Sequence, residues 1–296
     1  MGFQLWTSPI TGYRRKGTRL AELRSVLGSN ITARAILEPL KSCPADALSA
    51  EMARILRQRD FDVAGVQEHR DGPVIGFITC ESLKGESVRH HLQLLTADVL
   101  ISDSTPLPTV LSVLKERQHC FVLVGPEVKG IITRADLNKP PVRVYLFGLI
   151  SLLEMHLGFW IKATYVDNSW HNILSGRRLG AAKNLQKLRR TRNEDRPLLE
   201  CIQFCDKRDI VIARAELLDK LNLGTRDQAR SQLERAEGLR NVLAHSQQDL
   251  VGGSTWQETI NLVEWIEAVV ELSDELVEQQ ARELATPGDD GLWGCA

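Results

Sequence analysis

Arg240, Asn241 and His245 are the residues of this sequence whose types and spacing best suit chemistry on a phosphate. A histidine titrates near neutral pH and can donate or accept a proton during a reaction. An arginine guanidinium can hold a phosphate through two parallel hydrogen bonds. These residue types therefore predict acid–base chemistry on a phosphate, with a half-buried, salt-bridged pair that fixes helix packing as the alternative.

The spacing of these residues limits how one helix could present them. Asn241 and His245 are four positions apart, so about 40° separates them and they share a face. Arg240 and His245 are about 140° apart around the axis, so a straight helix does not direct both at one point. They could meet if the helix ended near His245, if the long arginine reached around, or if a second copy of the domain faced the first. Gly238 lowers helix propensity, and a close helix–helix approach in a dimer would explain it.

The second half of the chain has the pattern of a helical domain. After Pro140 and Pro141, apolar residues recur at helical spacing, and two capping boxes (Thr225 with Gln228, Thr255 with Glu258) mark helix starts. The predicted helical segments are 142–164, 177–195, 197–208, 213–221, one from 225 towards His245, and one from 255.

The motif Arg240-Asn241-x-x-x-His245, late in this helical domain, resembles that of the HEPN (higher eukaryote and prokaryote nucleotide-binding) superfamily. The resemblance implies a metal-independent endoribonuclease in which a 2′-hydroxyl attacks the adjacent phosphate. His245 would be the general acid or base, Arg240 would hold the phosphate, and Asn241 would orient His245 or the phosphate. The family's ribonucleases form a composite cleft across a homodimer and serve in toxin and antiviral defence systems. Other members only bind nucleotides or RNA.

The first half of the chain contains an internal repeat. The segment 55–66, ILRQRDFDVAGV, matches 113–124, VLKERQHCFVLV, which pairs Val66 with Val124 at an offset of 58. The segment GFIT at 76–79 matches GIIT at 130–133 at an offset of 54. Each copy predicts a helix, a strand, a turn, a strand and a short helix. One copy is too small to bury both faces of its sheet, so two copies should pack together.

Residues 31–140, with the closing segment VKGIITRADL, resemble a CBS domain pair. The resemblance implies an adenosine nucleotide (AMP, ADP or ATP) in a cleft between the repeats. Asp136 would accept the ribose hydroxyls, Thr133 would donate to a phosphate, and backbone near Asp62 and Val63 would read the adenine edge. The first repeat has Ser82 where the aspartate should stand, so we expect at most one good ribose site. The alternative is that Asp136 only caps the helix that follows.

The expected architecture is therefore α+β, with a tandem CBS module followed by an all-α helical-bundle domain of the HEPN type. The predicted limits are an N-terminal extension at 1–30, the CBS pair at 31–140, the helical domain at 141–285 and a flexible tail at 286–296. The expected function is an adenosine-nucleotide-regulated ribonuclease of a defence or stress response. The alternative is a non-catalytic nucleotide sensor whose helical domain binds a protein or RNA partner.

Composition limits the other classes of function. The 296 residues carry a net charge of −1, so contact with nucleic acid needs a local patch such as the basic run 177–192, unless that run is only a solvated helix face. Six cysteines without C-x-x-C spacing predict no metal site and a reducing compartment. The apolar segment 144–161 contains Glu154 and His156, which favours a buried helix over a membrane span. We therefore expect a cytoplasmic protein without a membrane segment.

Overall fold

Two sets of elements make up the computed structural model, which describes residues 14–245, 249–251 and 253–284. The two-sheet unit is Gly28–Val142. The helical unit comprises the described residues of Met1–Leu27 and Arg143–Ala296. The mixture of sheets and helices confirms the α+β class expected from the sequence. The predicted tail at 286–296 lies outside the described residues.

Short strands form two sheets in the two-sheet unit. In chain order they are β1 (Glu38–Pro39), β2 (Ser42–Pro44), β3 (Val63–Gln67), β4 (Val74–Thr79), β5 (Gln93–Leu94), β6 (Leu100–Ser102), β7 (His119–Val124) and β8 (Glu127–Thr133). One sheet has the order β2-β3-β4-β5 and the other has the order β1-β8-β7-β6.

The α-helices of the described residues are α1 (Leu20–Leu23), α2 (Ser49–Gln58), α3 (Leu107–Glu116), α4 (Pro140–Thr164), α5 (Gly176–Arg190), α6 (Phe204–Ile212), α7 (Ala215–Lys220), α8 (Arg226–Ala244) and α9 (Trp256–Leu284). A π-helical turn at Arg24–Gly28 follows α1. Short 3₁₀ helices lie at Ala33–Ala35, Val88–His91, Ala97–Val99, Arg134–Asn138, Ser169–Ile173 and Leu198–Cys201.

The two-sheet unit is a duplication with exchanged strands. The first repeat runs β1, β2, α2, β3, β4, and the second runs β5, β6, α3, β7, β8. In each repeat the second strand is parallel to the third, and the third is antiparallel to the fourth. The first strand of each repeat pairs with the last strand of the other, β1 with β8 and β5 with β4. Each sheet is therefore completed by the other repeat.

The strand register corrects one part of the repeat alignment. Val66 pairs with Gly76 and Val122 pairs with Gly130, so Val122 is the equivalent of Val66 and the pairing with Val124 was wrong. Both sheets have a bulge directly after these valines. The reason for the shift is that four residues separate α2 from β3, whereas two separate α3 from β7.

The glycine that opens each Gly-x-x-Thr segment lies where an exchanged strand approaches. A Cβ at Gly76 would lie 2.4 Å from the carbonyl oxygen of Gln93, which belongs to β5. A Cβ at Gly130 would lie 3.1 Å from Leu37 Cδ1, next to β1. Real Cβ atoms do not come as close as 2.4 Å, so the exchange of strands accounts for Gly76 and leaves little room at Gly130.

The helical unit has the helix starts and the apolar stripe that the sequence predicts. Both predicted capping boxes are present, because the Thr225 hydroxyl accepts from Gln228 N at 3.3 Å and the Thr255 hydroxyl accepts from Glu258 N at 3.2 Å. The apolar residues that the sequence places at helical spacing in α9 are buried at Ile260, Val263, Ile266, Val269 and Val270, and Leu276 is half-buried.

The apolar helix α4 begins at the two prolines, which are tolerated in the first turn of a helix. By length and composition it could cross a membrane, and 56% of its most apolar stretch is buried within the protein. Tyr145, Leu153 and Trp160 are among its buried side chains. The Trp160 indole donates to the Ser273 hydroxyl of α9 at 2.7 Å.

The N-terminal segment 14–27 packs on α9. The Arg14 guanidinium forms an ion pair with Asp274, and the backbone N–H of Leu20 donates to the same carboxylate at 2.8 Å. Arg24 pairs with Glu267 at 2.8 Å. These contacts join a segment that precedes the two-sheet unit in sequence to the last helix of the helical unit.

Candidate functional site

The carboxylate of Asp136 lies at the turn from β8 into the 3₁₀ helix Arg134–Asn138. Its Oδ2 accepts from Thr133 N at 2.7 Å and from Thr133 Oγ1 at 3.0 Å, which forms a capping box. The residue is 7% exposed. The two residues expected to hold ribose and phosphate are therefore in direct contact, and the capping role is present.

A lysine occupies the other oxygen of this carboxylate. Lys139 Nζ lies 2.9 Å from Asp136 Oδ1 and donates to Glu38 Oε1 and to the carbonyl oxygen of Ile36, both at 2.5 Å. Burial lowers the pKa of Lys139, but the hydrogen bonds to Glu38 and Asp136 outweigh this effect, so its pKa lies above the ordinary value. The ammonium is therefore charged at neutral pH and fully committed to acceptors.

In the first repeat, the hydroxyl of Ser82 caps the equivalent turn. Ser82 Oγ donates to the Thr79 carbonyl at 2.8 Å and accepts from Thr79 N at 3.3 Å. Ser82 thus takes the capping position that Asp136 takes in the second repeat. The position exists in both repeats, but only the second carries a charge that could bind a ligand strongly.

Asp62 and Val63 lie at the start of β3. Asp62 is exposed, its carbonyl accepts from Cys80 N at 2.7 Å, and Val63 pairs with Thr79. His119 pairs with Thr133 across the sheet, and the charge of Asp62 raises the pKa of His119 against the larger effect of burial.

His119 is a residue of this region that the sequence did not single out. Its ring contacts Phe77 and Phe121 edge-on, with centroids 5.6 and 5.4 Å apart. Burial and the nearby Arg117 lower its pKa, while the charge of Asp62 partly opposes them. His119 is therefore a neutral, flat ring at neutral pH. A polar residue opening a buried strand was its only sequence signal.

Arg240, Asn241 and His245 lie at the C-terminal end of α8. The helix ends at Ala244, and His245 N donates to the Asn241 carbonyl at 3.0 Å. Arg240 NH1 donates to Asn241 Oδ1 at 3.4 Å. Arg240 is half-buried, whereas Asn241 and His245 are exposed. The helix thus ends beside His245, which is one of the three arrangements that could let Arg240 and His245 act together.

Gly238 has no close helix neighbour among the described residues. A Cβ there would meet nothing within 4 Å, and the residue is exposed. A close helix approach within this chain therefore does not explain the glycine, and an approach by a second copy stays a prediction.

Glu154 and His156, two polar residues of α4, contact residues of α6 and α9. Glu154 pairs with Lys207 at 2.8 Å, and the buried His156 has its Nδ1 at 2.5 Å from Ser273 Oγ. Burial, together with the charge of Arg14, lowers the pKa of His156 to about 4. His156 is consequently a neutral structural group inside the bundle. Among the described residues there is no group of three or more side chains suited to hold a metal ion.

Comparisons with known proteins give similarities to solved structures over part of the chain. No family model matches it, and neither does any curated protein. An uncharacterized conserved protein from Pyrococcus horikoshii is 20% identical over 37% of this chain and 90% of its own, with a TM-score of 0.33. The CBS-pair protein CBSX2 from Arabidopsis thaliana is 16% identical over 39% and 94%, with a TM-score of 0.33.

The CBS domain of a bacterial CNNM/CorC family Mg²⁺ transporter, solved in complex with ATP, is 14% identical over 40% of this chain and 91% of its own, with a TM-score of 0.34. These structure neighbours include CBS domain pair proteins, and each covers about two fifths of the chain. The resemblance of the helical unit to HEPN proteins stays a hypothesis.

Proposed function

We propose that the two-sheet unit is a sensor that binds an adenosine nucleotide (AMP, ADP or ATP) and thereby regulates the helical unit. The observation that carries this proposal is the buried carboxylate of Asp136, which directly contacts Thr133 and occurs in only one of two otherwise equivalent turns. A turn needs only a cap, and Ser82 shows that a hydroxyl suffices. The carboxylate adds a charged acceptor, which ribose hydroxyls would use in place of donors that contact it now.

A ribose offers two neighbouring hydroxyl donors, which match the two oxygens of a carboxylate. Hydrogen bonds to an ionised acceptor are worth about 1.5–3 kcal/mol each. In the proposed complex Asp136 accepts the ribose hydroxyls, the Thr133 hydroxyl turns to a phosphate, and the backbone of Asp62 and Val63 reads the adenine edge.

A thermal-shift titration with AMP, ADP, ATP and S-adenosyl compounds tests the sensor. A ligand at 100 times its Kd stabilises the folded protein by about 2.7 kcal/mol, which raises the Tm. We expect Asp136→Ala to lose the ligand-induced shift and Ser82→Ala, the matched change in the first repeat, to keep it. Equal shifts in both variants would show that the ligand binds elsewhere, and no shift with any nucleotide would refute the sensor.

We further propose that the helical unit is a metal-independent endoribonuclease of the HEPN type, acting in the cytoplasm in a defence or stress response such as antiviral defence. The specific observation in its favour is the exposure and the hydrogen bonding of Arg240, Asn241 and His245 at the end of α8. His245 is exposed, and the contact of Arg240 is the neutral Asn241, with no ion pair among the described residues. A guanidinium whose described contact is a neutral amide supports the proposed phosphate-binding role.

In the proposed reaction the RNA 2′-hydroxyl gives up its proton and attacks the adjacent phosphorus. The bond to the 5′-oxygen breaks, leaving a 2′,3′-cyclic phosphate and a 5′-hydroxyl. His245 serves as general acid or base, Arg240 stabilises charge on the phosphate oxygens, and Asn241 orients His245 or the phosphate. A second copy of the chain would supply the opposite half of the cleft in a homodimer.

Cleavage of RNA in the presence of EDTA tests this second proposal. The wild type should cut without metal, and His245→Ala should reduce the rate by roughly 10²–10⁴-fold, the usual contribution of acid–base catalysis. His90→Ala, at an exposed histidine of the two-sheet unit, is the control and should cut normally. Absence of cleavage under every nucleotide condition would favour the alternative, a non-catalytic sensor whose helical unit binds RNA or a protein partner.

A further inference from the structure

Lys139 occupies the position that a ribose would need. Its ammonium contacts Asp136 Oδ1 at 2.9 Å, Glu38 Oε1 at 2.5 Å and the Ile36 carbonyl at 2.5 Å. Its side chain is 27% exposed, while the side chain of Asp136 is 9% exposed. The carboxylate therefore has little surface left, and a ligand that uses it must first displace the lysine.

Displacing Lys139 leaves a cation without one of its two carboxylate partners. Burial lowers the pKa of Lys139, but the contacts with Glu38 and Asp136 raise it above its ordinary value, so the group that a ligand must displace is a charged ammonium. A neutral nucleoside offers ribose hydroxyls to Asp136 but nothing to this ammonium. A nucleotide brings a phosphate on the same ribose.

The phosphate would lie within reach of the released ammonium. Thr133 Oγ1 and Lys139 Nζ are both donors to the same carboxylate, at 3.0 and 2.9 Å. Because the two donors contact different oxygens of one carboxylate, the flexible lysine side chain can reach a phosphate that accepts from Thr133. One ligand can thus replace both halves of the Asp136–Lys139 pair.

We infer that Lys139 makes this site selective for phosphorylated nucleotides over nucleosides, by opposing any ligand that takes Asp136 without supplying an anion in exchange. The inference rests on the proposed nucleotide site at Asp136 and assigns to that site a residue that decides what binds.

Isothermal titration of AMP and of adenosine into the wild type and Lys139→Met tests the inference. The wild type should bind AMP at least about tenfold more tightly than adenosine, because a charge-assisted contact is worth that much or more. In Lys139→Met the adenosine affinity should rise and the ratio of the two affinities should fall towards one. Lys129→Met, which removes an exposed lysine paired with Glu127, should leave the ratio unchanged.

A wild-type preference for AMP that is undiminished in Lys139→Met would overturn the inference while leaving the nucleotide site intact. Failure of AMP and adenosine to bind any folded variant would instead remove the proposed function itself. Glu38→Gln keeps the charge of Lys139 but weakens its hold, and serves if Lys139→Met does not fold. It should bind AMP more tightly than the wild type with the preference retained, and weaker AMP binding would contradict a competing lysine.

Discussion

At the scale of single residues, Asp136 makes two interactions at the same time. It caps the turn after β8 through Thr133, and it holds the ammonium of Lys139. Both interactions satisfy a carboxylate that burial would otherwise penalise. A ligand at Asp136 exchanges existing hydrogen bonds for new ones. Its net affinity therefore depends on the contacts that the displaced Lys139 ammonium makes in the complex.

His156 should make the stability of the protein depend on pH. Its pKa is about 4 in the folded protein against an ordinary value of 6.5, so below pH 6.5 the unfolded chain takes up a proton that the folded protein does not. The free energy of unfolding should therefore fall as the pH decreases, by about 2 kcal/mol between pH 7.5 and 5 from this group. Urea denaturation at the two pH values measures the change.

The matched variants for this effect are His156→Gln and His90→Gln. Glutamine does not titrate, so the first variant should lose about 2 kcal/mol of the pH dependence whatever its stability at pH 7.5. The second, at an exposed site, should keep it. An equal pH dependence in wild type and His156→Gln would show that His156 is not the group responsible.

Thr133 and Asp136 could be identified from the sequence, whereas Lys139 and His119 could not be assigned roles from it. The first two share a short motif whose spacing alone places them at one turn. One of the two carboxylate partners of Lys139 is Glu38, which lies 101 positions away in the chain. The ring of His119 contacts Phe77, which belongs to the other repeat. Contacts of this kind depend on how the repeats pack, and a local sequence pattern does not predict them.

At the scale of elements, the repeated helix–strand–strand pattern was predictable and the exchanged strands were not. α2, β3 and β4 and their counterparts are long enough to show periodicity. β1 and β5 have two residues each, which is too short for any alternation. The sequence indicates these strands only indirectly, because glycine at positions 76 and 130 leaves room for their approach.

Gly238 gives a prediction at this scale. It lies inside α8, and a Cβ there would meet nothing within 4 Å, so Gly238→Ala should raise the free energy of unfolding by about 1 kcal/mol through helix propensity alone. Gly148→Ala in α4 is the control, because its Cβ would lie 3.0 Å from Leu23 Cδ1 and part of the gain should be lost. Urea denaturation of both variants measures the difference.

The oligomeric state of Gly238→Ala carries additional information. Light scattering should find the same mass as for the wild type if no second copy packs closely on this part of α8. A smaller mass would place Gly238 in an interface between copies, where the predicted composite cleft would form. Destabilisation of a monomeric Gly238→Ala variant would contradict the open surroundings of this residue.

At the scale of the whole molecule, the proposed sensor and the proposed catalytic end of α8 are joined by chain connectivity. Lys139 directly precedes α4, the long helix that begins at Pro140 and continues into the helical unit. Release of Lys139 from Asp136 would change the contacts of the residue that leads into this helix. Regulation requires that the nucleotide bind two states with different affinity, and this junction is where such a difference could arise.

The rate of RNA cleavage with and without saturating AMP, in the wild type and in Asp136→Ala, tests the central claim most directly. The account predicts that AMP changes the wild-type rate by about fivefold or more, the lower range of allosteric coupling, and leaves the rate of Asp136→Ala unchanged. An identical wild-type rate with and without bound AMP, or an equal response in Asp136→Ala, would contradict it.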